Sequence, residues 1–247
     1  MKILVCISKT PDTTAKIAFT EGNTKFDENG VQWIINPYDE WYSLVRAIEL
    51  KEKDPSVTIH LVTVGGADTE PIIRKALALG GDEAFRVNNT SNDSLVVAQE
   101  IAAIAKEGAY DLVLTGKETI DYNSASIGSM LCALLDQNFV SSAVKLEISG
   151  NTATITREIE GGEETCEAPL PVIISCQKGM AEQRIPNMRG IMAARTKPLK
   201  VVEATISAAT TSIKNFDLPP AKLGVKLVDA ANMDELVRLL KEEAKVI

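Results

Sequence analysis

Residues 116–128 read GKETIDYNSASIG, and this short turn gathers the side chains best suited to binding chemistry: the hydroxyls of Thr119, Ser124 and Ser126, the polar Asp121 and Asn123, and a glycine at each end. It follows the apolar run YDLVLTG and precedes ASIGSMLCALLD, so it reads as a strand, a polar turn and the start of a helix. Free backbone amides and hydroxyls beside a helix N-terminus suit an anion such as a phosphate. The Walker Lys-Ser/Thr pair and the G-x-G-x-x-G fingerprint are both absent, which argues against nucleotide hydrolysis and an ordinary nicotinamide dehydrogenase. Caps rich in serine and glycine also occur without ligands, and a turn aspartate such as Asp121 often only satisfies local amides. Spacing alone leaves both readings open.

Other chemistry has little to draw on. His60 is the one histidine and lies inside the apolar run VTIHLVTV, which removes His-based triads. The cysteines Cys6, Cys132, Cys166 and Cys176 have neither CxxC nor metal-ligand spacing, and a structural role is expected for all four. No metal site is expected, and no side chain stands out as an acid, base or nucleophile.

The elements that must position the turn follow from periodicity. KILVCIS (2–8), VTIHLVTV (57–64), EAFRVN (83–88) and YDLVLTG (110–116) read as strands. Between them lie the helical patterns NPYDEWYSLVRAIELKEK, TEPIIRKALALG and DSLVVAQEIAAIAKEG. In the first, Asn36 reads as N-cap, Pro37 as the first helical residue and Asp39 as a near capping box, with Trp41, Leu44, Val45 and Ile48 as the buried stripe. Residues 16–36 carry turn signals at 21–23 and 29–30 and read as a hairpin. Strands alternating with helices predict an α/β fold, a Rossmann-like, doubly wound and mostly parallel sheet. Ligands on such sheets sit at the carboxyl ends of the strands, here Cys6 to Ser8, Val64 to Gly66 and Thr115 onward.

After residue 140 the pattern changes. An antiparallel β meander is expected over about 140–168, then a buried strand, LPVIISC (170–176). Regular structure looks scarce from about 178 to 232, and Asn232 with Glu235 caps a last helix bearing Leu236, Val237, Leu239 and Leu240. The expected organisation is a nucleotide-binding α/β domain over 1–200, with a partner-docking loop at about 178–197, and an extended C-terminal arm with its helix over 201–247. So long an irregular segment suggests an arm that packs on a partner, with wrapping of its own domain as the alternative.

The whole chain supplies 247 residues, 45% of them hydrophobic, enough for a sizeable core. A formal charge of −8 argues against nucleic acid as a partner. The local cationic excess at Arg184, Arg189, Arg195, Lys197 and Lys200 reads as a solvated strip or as a docking edge for an acidic partner. No apolar run approaches the length of a membrane span, and MKILVCISKTPD lacks a signal-peptide cleavage region. A cytoplasmic location and no membrane insertion are the expectations.

Several stretches, in order along the chain, resemble the β subunit of electron transfer flavoprotein: INPYDE (35–40), ALALGGDEAFRV (76–87), GKETID (116–121), REIEGGEETCEAPLPVIIS (157–175), RIPNMRGIMAARTK (184–197) and the LPPAKLGVKL tail. The resemblance implies a heterodimer with an α subunit that holds the redox-active FAD, and an AMP bound structurally in this subunit. Carried onto matching positions, it implies nucleotide contacts at Cys6, Asn36, Pro37, Tyr38, Asp39 and Val64. It implies further contacts along the turn at Gly116, Lys117, Glu118, Thr119, Ile120, Asp121, Tyr122, Asn123, Ser124, Ala125, Ser126 and Ile127. It also implies that the C-terminal arm embraces the partner, and that Ile185, Pro186 and Asn187 form the anchor that docks on acyl-CoA dehydrogenases or other dehydrogenases.

Part of the sequence resembles a bifurcating subgroup, in which a second FAD replaces AMP and NADH is oxidised there. Pro11-Asp12-Thr13 matches that subgroup. Its Asp-Gly-Asp-Thr-Ala-Gln-Val-Gly turn is replaced by Asp121-Tyr122-Asn123-Ser124-Ala125-Ser126-Ile127-Gly128, and Tyr122 adds bulk where a dinucleotide needs room. The AMP type is favoured. A stand-alone adenine-nucleotide sensor is the third reading, opposed by the arm and the Ile185 loop.

Overall fold

The computed structural model of the chain describes residues 1–206, 208–221 and 224–247; Lys222 and Leu223 of the LPPAKLGVKL stretch lie outside the described residues. Strand β1 (Lys2–Cys6) opens the chain. Two small antiparallel ladders follow: β2 (Lys9–Pro11) pairs with β5 (Trp33–Ile35), and between them β3 (Phe19–Thr20) pairs with β4 (Lys25–Phe26). The expected hairpin is therefore present as a nested flap outside the main sheet.

Helix α1 (Glu40–Lys53) leads to β6 (Thr58–Val64), helix α2 (Glu70–Leu79) to β7 (Glu83–Asn88), helix α3 (Ser94–Gly108) to β8 (Leu112–Gly116), and then helix α4 (Ile127–Leu135) follows. Beyond it run β9 (Asn138–Ser149), β10 (Thr152–Ile159), β11 (Gly162–Pro169) and β12 (Val172–Cys176). Helix α5 (Met188–Ala194) and β13 (Leu199–Glu203) come next, and helix α6 (Met233–Arg238) runs into a π turn at Leu239–Glu243.

One nine-stranded sheet has the order β11-β10-β9-β12-β8-β1-β6-β7-β13, and every neighbouring pair from β9 to β13 in that order is parallel. Period-two alternation divides the core between its faces. Ile3, Val5 and Ile7 face Leu44, Val45, Ile73 and Leu77 of α1 and α2. Leu4 and Cys6 face Ala98, Ile101 and Leu131 of α3 and α4. Burying each large aliphatic side chain of this kind stabilises the fold by roughly 1.5–3 kcal/mol, so helices on both faces are needed to complete the sheet.

The expected antiparallel meander is present as β9, β10 and β11 and continues the main sheet at one edge. Strand β9 first pairs in parallel with β12, then in antiparallel fashion with β10, and Ser142 at the changeover adopts a φ of 57° with its amide donating to Ser175 Oγ at 3.2 Å. The segment 178–232 is more ordered than its composition suggests, since α5 and β13 lie within it. Strand β13 becomes the edge of the sheet against β7 and crosses the expected division at residue 200. Its alternation is too short, and too exposed on the edge, to stand out in sequence.

Candidate functional site

From β1 the chain steps to β6 and β7 on one side, then returns to β8 and β12 on the other. The strand order reverses at β1, and loops leaving the carboxyl ends on either side of a reversal must diverge and leave a crevice. A cleft of about 1460 Å³ lies there. Its wall includes Cys6 to Ser8, Val64 to Gly66 and Thr115 to Gly116, the three strand ends expected from sequence. Thr115 Oγ1, buried at the end of β8, has no hydrogen-bond partner among the described residues.

The turn after β8 is clamped rather than free. Asn36 Nδ2 donates to the carbonyl of Glu118 at 2.8 Å, and Asn36 Oδ1 accepts from the amide of Ile120 at 3.2 Å. Asp39 Oδ2 accepts from the Glu118 amide at 3.0 Å, although burial raises this carboxyl above its ordinary range. Gly116 is required at the junction, because a Cβ there would lie 2.8 Å from Glu40 Cγ and 3.1 Å from its backbone nitrogen. The turn's far half is held to the start of α3: Asn92 Nδ2 donates to Tyr122 Oη at 3.1 Å, and Ser94 Oγ lies 3.5 Å from Ser124 Oγ.

These bonds correct the reading of Asn36 as a helix cap. Residues 37–39 form a turn and α1 begins at Glu40. The Asn36 amide is wholly buried and spent on the other loop, whose peptide groups offer it both a donor and an acceptor.

The expected contact residues divide accordingly. Cys6, Val64, Gly116 to Tyr122 and Ser124 to Ile127 line the cleft. Asn36, Pro37, Tyr38, Asp39 and Asn123 are not on its wall; Asn36 and Asp39 hold the turn, and Tyr38 is about half exposed. Asn123 and Ala125 take left-handed φ values of 51° and 48°, which bend the turn into α4. Ser126 occupies the N-cap position of α4 but makes no side-chain cap bond, so the helix's first amides have no such acceptor. The Cys6 thiol is buried and its pKa pushed up, which makes it a poor nucleophile.

Several groups at the cleft escaped the sequence reading. Glu40 is buried below it and binds Ser8, and the one available signal was its position four residues before Leu44 and eight before Ile48, on the apolar stripe of α1. The arm also reaches the cleft. Asp93, the N-cap of α3, accepts through Oδ2 from the Thr210 and Thr211 amides at 2.6 and 2.7 Å. Glu100 accepts from the Thr205 and Ile206 amides at 2.9 and 2.8 Å. Phe216 stacks on Phe19 with ring centroids 4.9 Å apart, closing the arm against the flap. Phe19, Phe26, Trp33 and Phe216 thus line an aromatic bay continuous with the rest of the cleft.

On the face bearing α1, the indole Nε1 of Trp41 donates to the carbonyl of Arg184 at 3.1 Å, and the Arg184 guanidinium bridges both oxygens of Glu52 at 2.7 and 3.1 Å. Asn187 Oδ1 caps α5 through the Gly190 amide at 2.8 Å. Ile185, held between these fixed points, is 88% exposed, and Met188 and Met192 beside it are also exposed. Of the cationic excess, Arg184, Lys197 and Lys200 are bound to groups of this chain, while Arg189 and Arg195 are exposed.

An open, mostly parallel α/β sheet with helices on both faces and a cleft where its strand order reverses defines a protein of the Rossmann-like class. Sequence comparison then fixes the family. Residues 23–207 match the model of the electron transfer flavoprotein domain. The chain is 38% identical to the electron transfer flavoprotein subunit beta of Bacillus subtilis (strain 168), with all of both chains covered. It is 36% identical to that of Syntrophomonas wolfei, covering all of this chain and 98% of the other. It is 30% identical to the caffeyl-CoA reductase-Etf complex subunit CarD of Acetobacterium woodii, covering 98% and 99%. The chain belongs to the electron transfer flavoprotein β-subunit family. Membership carries a role in electron transfer, in the setting of a flavoprotein with an α-subunit partner. Among the described residues no helix is long and apolar enough to cross a membrane.

Proposed function

We propose that the cleft binds AMP as a structural ligand, and that the chain serves as the β half of a cytoplasmic heterodimer whose FAD is held mainly by the α subunit. The observation that carries this reading is the 116–127 turn, which brings the first amides of α4, without a side-chain cap, together with Ser124, Ser126 and the orphaned Thr115 hydroxyl to the point where the strand order reverses. That donor set fits a phosphate and ribose. The flavin supplies the redox chemistry when bound; this chain's residues position and seal.

Electrons enter from dehydrogenases, acyl-CoA dehydrogenases among them, and leave to a downstream acceptor. Ile185, Pro186 and Asn187 are the dehydrogenase anchor in this reading: an apolar tip fixed at both ends loses little freedom when it enters a pocket. Beyond the α/β domain, the arm carries Val225 and Leu227 more than 80% exposed, which suits the α subunit as the surface that covers them.

A second reading is favoured by one observation, the aromatic bay beside the nucleotide floor, which offers room and stacking surfaces for a larger ligand. There the cleft holds a second FAD and the complex oxidises NADH. Co-expression with the α subunit followed by nucleotide extraction separates the two. One FAD and one AMP per heterodimer is the expected result. Two FAD, with flavin reduction by NADH, overturns it in favour of the second reading.

A further inference from the structure

Glu40 opens α1 directly below the cleft and is buried, and among the described residues no Lys, Arg or His nitrogen lies within 4.0 Å of its carboxyl. Its two oxygens meet one residue. Oε2 accepts from the Ser8 amide at 2.6 Å, and Oε1 makes a short contact with Ser8 Oγ. Ser8 lies beyond the carboxyl end of β1, on the wall of the cleft.

A protonated carboxyl has one donor and one free carbonyl acceptor. Those groups match Ser8 one for one: the carbonyl takes the amide N–H, the acid O–H donates to Oγ, and the Ser8 hydroxyl hydrogen remains unused. An ionised carboxylate has no donor, so it takes both Ser8 hydrogens and leaves nothing for a ligand. We propose that Glu40 holds its proton on Ser8 Oγ, so that the Ser8 hydroxyl is a hydrogen-bond donor to a phosphate or ribose oxygen of the bound nucleotide. The inference rests on the nucleotide reading above.

The surroundings support the neutral form. Burial, the largest influence, and the carboxylates of Asp121 from the turn and Asp39 from the preceding residue outweigh the Ser8 hydrogen bonds and together raise the Glu40 pKa to about 8. Cys6 of β1, close by, is a thiol whose own pKa is pushed up by burial and, less, by Glu40. The nearby Lys9 ammonium is spent on Asp68 and lies 3.7 Å from the Trp33 ring centroid, while Lys117 on the turn is exposed. An unpaired carboxylate below a phosphate would repel it, and the proton removes that cost. Glu40 is thus a positioning residue acting through Ser8.

The test titrates AMP and adenosine into the full chain, stripped of nucleotide, between pH 7 and 9.5, with Ser8→Ala and Glu40→Gln alongside. The native chain should lose AMP affinity about tenfold as pH passes 8, the scale of one hydrogen bond to a charged group. Glu40→Gln, whose amide keeps one donor and one acceptor, should hold its neutral-pH affinity throughout. Ser8→Ala should bind about tenfold more weakly at pH 7. Adenosine affinity that stays flat with pH assigns the acceptor to the phosphate; a parallel fall assigns it to the ribose. AMP affinity that is flat in the native chain, or falls equally in Glu40→Gln, overturns the inference and leaves the nucleotide reading standing. Failure of AMP to bind at any pH overturns that reading and this one with it. An infrared band of a protonated carboxyl, present at pH 7 and lost in Glu40→Gln, reports the proton itself, and its absence from the native chain overturns the inference; the pH profile of AMP affinity is the readout a merely structural glutamate would not give.

Discussion

Asn36 and Glu118 stand 82 residues apart in sequence, yet the amide of one donates to the carbonyl of the other at 2.8 Å. With the second bond to Ile120, this single buried side chain substitutes for the peptide partners that the turn after β8 lacks. Asn36→Ala strips both partners at once. It should cost about 1–3 kcal/mol, read as a lower urea midpoint, and release bound nucleotide from the purified protein. Unchanged nucleotide content would mean the turn holds its shape without the clamp.

Ile185 gives the opposite pattern. At 88% exposed it contributes little to stability. Ile185→Ala should leave the melting temperature and AMP content unchanged while slowing electron transfer from a dehydrogenase at least several-fold, measured by stopped-flow flavin reduction. Loss of AMP in this variant would show that the loop is misassigned.

The arm should depend on Asp93. The Thr210 hydroxyl, with the amides of Thr211, Leu95 and Thr210, holds this carboxylate well below its ordinary range, outweighing desolvation. A depressed carboxylate contributes stability above the unfolded value and loses it only as pH falls through the lower folded value. The latch should therefore hold at any pH above the ordinary carboxylate range. Asp93→Asn weakens it at neutral pH, and trypsin should then cut faster after Lys214 while the α/β domain stays protected. An unchanged cleavage rate would assign the closure to the Glu100 contacts and the Phe19–Phe216 stack.

His60 sets a pH limit on the fold. Its Nδ1 lies 2.8 Å from Tyr110 Oη, and burial lowers its pKa, against the attraction of Glu83. The folded chain thus binds this proton less readily than the unfolded chain. Stability should fall as pH drops through the unfolded value of about 6.5, and the loss is complete below the folded value. His60→Gln should flatten the melting-temperature profile between pH 7.5 and 5. A native-like slope in that variant would place the acid sensitivity elsewhere.

The chain's periodicity determined strands β1, β6, β7 and β8, the helices between them and the strand ends that meet at the cleft. Runs such as ILVC in β1 and LVL in β8 are apolar at consecutive positions because both faces of a parallel sheet are covered, and that demand is written locally. The polar turn, the exposed Ile185 loop and the family resemblance were also legible, since each is a contiguous stretch. Tertiary structure decided the partners. Asn36 looks like a helix cap in sequence because Asn-Pro caps helices; in space it meets a loop offering better-matched groups. Glu40 looks like a first-turn acid until the stripe it shares with Leu44 turns it under the cleft, where Ser8 takes both its oxygens. Strand β13 becomes an edge because β7 presents a free one. A sequence states which positions are apolar and at what period; which remote polar group satisfies a buried one follows only when the chain has closed on itself and water is gone.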